Sequence, residues 1–108
     1  MKVVAFVPDL MDRSRISNAV SGASFVTQPS QLVDAGLGAG DVALVDLGRP
    51  GALEALPGLV ASGARVIAFG AHVERETLDA ARAAGGDAVE VLPRSAFFRS
   101  LGDLVNPT

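Results

Sequence analysis

The stretch "DVALVDLGRPG", residues 41–51, decides the fold. Val42, Ala43, Leu44 and Val45 are apolar at successive rather than alternate positions, which suits a strand covered on both faces, as in a parallel sheet. Asp46 closes the apolar run, and a turn rich in Gly and Pro follows at once. The acid therefore stands at the carboxyl end of a strand, either as a reactive group or as a structural cap of the turn.

Four more runs have strand character: "KVVAFV" (2–7), "ASFVTQ" (23–28), "RVIAFG" (65–70) and "DAVEVL" (87–92). Helical signals lie between them. "DRSRISNAVSG" (12–22) offers Asp12 or Ser14 as a cap, Ile16 and Val20 one turn apart, and Gly22 as a stop. Residues 30–36 predict a short helix, and in 51–63 Pro57 must either begin a helix or break one. "HVERETLDAARAAGG" (72–86) sets Leu78, Ala81 and Ala84 on one face, and "SAFFRSLGDLV" (95–105) starts from a Ser95 cap.

Strand and helix thus alternate five times. For parallel strands this requires right-handed crossovers, with helices on both faces. The expected fold is α/β: a flavodoxin-like, doubly wound sheet of five parallel strands in the order 2-1-3-4-5, with residues 1–108 as a single domain. The 108 residues, 49% hydrophobic, are enough for one core and too few for two.

Composition excludes several functions. A net charge of −3 offers no basic face for nucleic acid. With no Cys and a single His, neither a disulfide nor a zinc site can be assembled. The N-terminal apolar run is too short for a signal-peptide core or a membrane span, so a cytoplasmic protein away from membranes is expected.

In such a sheet, functional groups gather outside the carboxyl ends of the strands. That rule selects Asp9 and Asp12 after the first strand, Asp46 and Arg49 after the third, Gly70 to His72 after the fourth, and Leu92 to Ser95 after the fifth. At these positions the chain resembles the CheY-like receiver domains of bacterial response regulators, the phosphoacceptor modules of two-component systems. "DVALVDLGRPG" is similar to their third strand and phosphoacceptor motif, with Asp46 in the acceptor place. Asp9 matches the second acid of the Mg²⁺-binding pair, and Leu92-Pro93 falls where receivers have Lys-Pro. The resemblance also implies a cis Leu92-Pro93 bond.

The departures from the family pattern remove chemistry. Pro8 replaces the first acid, Gly70 the Thr or Ser after strand four, Leu92 the Lys, and Val89 the switching aromatic. Clustered carboxylates hold the Mg²⁺ that neutralises a transferring phosphoryl group, and the Lys offsets the charge of the acyl phosphate. The resemblance therefore implies an atypical or pseudo-receiver: a non-enzymatic signalling module that acts by protein contact. Asp46 is then a phosphoacceptor equivalent without phosphotransfer. No cofactor is implied beyond Mg²⁺ held weakly by Asp9 and Asp46.

A different class of function stays open beside it, a flavodoxin-like domain binding a small phosphate-bearing ligand such as a nucleotide or FMN. Its contacts would be Arg13, Ser14 and Arg15 at a helix start, with His72 and Arg94 on the same rim. Arg94 could instead replace the missing Lys charge or point to solvent. Phe97, Phe98 and Leu101 put apolar groups on more than one face of the last helix. They make a candidate partner surface, for another protein or for a second copy in a homodimer.

Overall fold

The computed structural model describes residues 1–71 and 75–105. His72 and the C-terminal residues 106–108 lie outside the described residues. Five parallel strands, β1 (Val3–Phe6), β2 (Ser24–Phe25), β3 (Val42–Asp46), β4 (Arg65–Gly70) and β5 (Val89–Pro93), form one sheet in the order β2-β1-β3-β4-β5. This is the expected topology. The connections are α1 (Leu10–Ala19), α2 (Pro29–Val33), α3 (Ala52–Ala61) and α4 (Arg75–Gly85), and the chain ends in α5 (Arg94–Arg99) and α6 (Leu101–Val105).

The successive apolar residues of the central strands feed two cores. Side chains alternate across a strand, so β1 sends Val4 and Phe6 to one face and Val3 and Ala5 to the other. In the same way β3 divides into Ala43 and Val45 against Val42 and Leu44, and β4 into Val66 and Ala68 against Ile67 and Phe69. Leu32 of α2, Leu56 and Leu59 of α3 and Ala81 of α4 cover the first face. Ile16 of α1, Phe97 of α5, and Leu101 and Val105 of α6 cover the second. Of the helix face read at Leu78, Ala81 and Ala84, Ala81 is buried, and the side chains of the other two lie outside the description.

Several local expectations are corrected. α1 is capped by Asp9, not by Asp12 or Ser14, because the Asp9 side chain accepts the Asp12 N–H. Pro57 neither begins nor breaks α3, which runs through it from Ala52. The lost backbone bond is outweighed where Ala55, Leu56 and Leu59 all bury against the sheet. The last helix divides at Ser100 into α5 and α6, and α5 is entered directly from Pro93 rather than from a Ser95 cap. No described peptide bond is cis, so Leu92-Pro93 is trans, contrary to expectation. Pro93 makes the turn in an extended conformation (φ −60°, ψ 149°) that leads straight into the helix, so the costlier isomer is not required. No described helix is long and apolar enough to cross a membrane.

Candidate functional site at the carboxyl ends of the strands

Asp9 follows β1 and is exposed; its Oδ1 accepts the Asp12 N–H at 3.0 Å. That bond satisfies one of the free donors at the start of α1. It also turns the first helical turn so that Asp12 points inward, where only 2% of the residue remains exposed.

The buried carboxylate of Asp12 meets Arg94, the first residue of α5. Arg94 Nη1 donates to Asp12 Oδ2 at 2.7 Å, and Nη2 donates to Oδ1. This two-pronged geometry matches the guanidinium fork to both carboxylate oxygens. The guanidinium also lies 5.0 Å from the ring centre of Phe98 and 5.9 Å from that of Phe69. Phe69 stacks on Phe97 at 4.3 Å and meets Phe98 edge-on at 5.3 Å. The arginine is thus held between a carboxylate and an aromatic cluster. Its affinity for the proton is raised, first by the hydrogen bonds to Asp12, against an opposing effect of burial, and further by the charges of Asp12, Asp46 and Asp9. Arg94 therefore serves as the cation of an acidic rim and does not point freely to solvent.

Asp46 ends β3 and is 8% exposed. Its Oδ1 accepts the Gly48 N–H at 3.0 Å, and its Oδ2 lies 3.5 Å from Arg49 Nε. Both contacts are within its own loop, so Asp46 caps the turn that follows it. A Cβ at Gly48 would stand 3.3 Å from Asp46 Oδ1, so a glycine there suits the close approach.

Of the residues proposed to contact an anion, Arg15 and Arg94 both lie against Phe98, at 4.2 and 5.0 Å from its ring centre, while Arg13 is engaged elsewhere. Arg13 Nε donates to the Val7 carbonyl at 2.8 Å, and its guanidinium lies 5.3 Å from the Phe25 ring centre, which braces α1 against β1 and β2. Ser14 is exposed. His72 lies outside the described residues.

The partner surface expected at Phe97, Phe98 and Leu101 is corrected. Phe97 is fully buried and Leu101 2% exposed, and Phe98 is half-buried against the same core. Phe97, Leu101 and Val105 recur every fourth residue and so share one face, which lies on the core, and Phe98 beside them meets Phe69 and Phe97 edge-on. Among the described residues the large apolar side chains that are exposed stand elsewhere, the two most exposed being Leu10 at 77% and Met11 at 78%, on the first turn of α1 beside Asp9. They directly precede the inward-turned Asp12 in α1, and locating the cap at Asp9 would have revealed them in the sequence.

The fit of the rim to Mg²⁺ is poor. The ion takes about six oxygen ligands in octahedral geometry. Here Asp12 is bound to Arg94, while Asp9 and Asp46 each accept a backbone N–H. Among the described residues no three metal-ligating side chains come together.

No family model matches the sequence, and no curated protein matches it. Among solved structures the chain is similar to the crystal structure of a response regulator from Colwellia psychrerythraea, with a TM-score of 0.71 and 16% identity over 99% of this chain and 98% of that one. A likeness at that identity, spanning nearly the whole of both chains, shows that the two share the doubly wound, CheY-like fold.

Proposed function

We propose that this chain is a receiver-like signalling module that works by protein contact and carries out no phosphoryl transfer. The observation that supports this reading is the Asp12–Arg94 pair in the acidic rim. Phosphoryl transfer to a carboxylate relies on cations organised around the acceptor. In this rim the Arg94 cation is already bound to a buried carboxylate, and Pro8, Gly70 and Leu92 stand where the resemblance calls for an acid, a hydroxyl and a Lys. A phosphoryl group on Asp46 would add negative charge beside Asp9 and Asp12 without new counter-charge. Leu10 and Met11, exposed on the same rim, supply an apolar contact surface for a protein partner.

The test is incubation with Mg²⁺ and acetyl phosphate, followed by intact mass measurement. The expected result is no added phosphate on the wild-type chain, with labelling only when Pro8→Asp, Gly70→Thr and Leu92→Lys are combined. Stoichiometric labelling of the wild-type chain that disappears in Asp46→Asn overturns the proposal.

A further inference from the structure

Away from the Asp12–Arg94 pair, α2 and α3 leave a groove between them with a cavity of about 640 Å³. The groove is open to solvent on one side, as a surface that receives the side chains of a bound peptide must be. Pro29 and Val33 from α2, with Pro50 and Ala55 from α3 and the loop before it, supply its apolar surface. Asp34 and Glu54 supply its charge, and no Lys or Arg is among the described residues that line it.

The groove is held in shape by two close approaches. A Cβ on Gly51 would come within 2.9 Å of Pro29 Cγ, and one on Gly58 within 3.2 Å of Val33 Cγ1. Glycine at both points lets α2 seat against α3. Val33 braces that contact and still leaves 42% of its surface open, which makes it one of the few large apolar residues exposed among those described. The charge of the groove is only partly explained by the helices. Glu54 lies in the first turn of α3, where a carboxylate is favourable, but Asp34 is the C-cap of α2, where the helix favours a cation instead. An apolar floor with an acidic rim is complementary to an apolar group flanked by positive charge.

We infer that the α2–α3 groove docks a peptide segment of a protein partner, in which one apolar side chain is flanked by Lys or Arg. The apolar side chain sits against Pro29, Val33 and Ala55, and the flanking cations meet Asp34 and Glu54. The inference shares no residue with the Asp12–Arg94 pair and holds whether or not Asp46 accepts phosphate.

A phage-displayed library of random linear peptides, selected on the full chain, tests it. Enrichment of peptides with an apolar residue flanked by Lys or Arg is expected. A synthetic peptide of the enriched sequence should shift backbone amide resonances within residues 28–34 and 50–55. Its affinity should fall about tenfold or more in Val33→Glu and in Asp34→Lys with Glu54→Lys, and should weaken as salt is raised. Circular dichroism checks that each variant folds, and Val33→Ala serves if Val33→Glu does not. No enrichment, enrichment of sequences without flanking cations, or binding insensitive to the groove variants overturns the inference. Binding lost only in Leu10→Glu with Met11→Glu also overturns it, while locating the contact on the rim of the proposed function.

Discussion

Asp12 and Asp46 stand at the same end of the sheet, each beside an arginine, and they are held in opposite ways. Arg49 reaches Asp46 from three positions along the chain, at 3.5 Å through one nitrogen. Arg94 reaches Asp12 across 82 positions and uses two nitrogens on two oxygens. The Asp12 side chain is 3% exposed, against 12% for Asp46. The difference teaches that a motif-like acid need not be the one on which the fold depends. Asp46 is satisfied by its own loop, whereas Asp12 cannot be buried as a charge unless the far end of the chain is in place.

Removing Arg94 should break this contrast most severely. Arg94→Ala leaves a buried carboxylate uncompensated. We expect a loss of about 2–3 kcal/mol, below the range for a fully buried pair because water reaches the 43%-exposed arginine side chain. Urea denaturation measures it. The double variant Asp12→Leu with Arg94→Met should recover most of that loss, since apolar groups of similar size leave no charge behind. A double variant as unstable as Arg94→Ala would show that the aromatic packing of Arg94, not its charge, is what counts.

Gly51→Ala sharpens the comparison from the other side. Gly51 holds a left-handed φ of 84° and has no room for a Cβ beside Pro29. A loss of about 1–2 kcal/mol is expected from the backbone alone, by the same denaturation measurement. The Asp46 loop would then owe its stability more to its turn than to its ion pair. In agreement, Arg49→Ala should change stability by about 1 kcal/mol or less, since water reaches the 43%-exposed arginine side chain and Asp46 keeps its bond from the Gly48 N–H.

Asp41, at the opposite end of the sheet, is a carboxylate whose hydrogen bonds come from backbone N–H groups, those of Lys2 and Gly38. Its pKa is lowered from the ordinary 3.8, chiefly by the Lys2 N–H and then by the Gly38 N–H. A group whose folded pKa is depressed gives stability that is present above its unfolded value and lost as pH falls through the folded one. The wild-type chain should therefore lose stability more steeply below pH 3.8 than Asp41→Asn. Thermal unfolding across the acid range checks the difference, and it should be the smallest of the effects described here.

What could be read from the sequence follows the same division between local and distant causes. β1, β3 and β4 are legible because each is a continuous apolar run, and their parallel order follows from the alternation with helices. β2 reads as six residues in the sequence and is two in the structure, where only Ser24 and Phe25 pair with β1. The position of Asp46 and its role as a cap are both local. The Arg94–Asp12 bond depends on where α5 begins relative to α1, and no spacing within one segment encodes that. The half-burial of Phe98 depends in the same way on a distant contact, with Phe69 of β4.

The bond between Arg94 and Asp12 joins the first helix to the entry of the fifth, so it closes a loop of most of the chain. Contacts of such wide separation are entropically costly to make early and tend to form after the central strands have paired. A bond formed after the rate-limiting step acts on the reverse reaction: its removal should accelerate unfolding while leaving the folding rate nearly unchanged. Arg94 would then govern the lifetime of the native state, and only weakly the speed with which that state is reached.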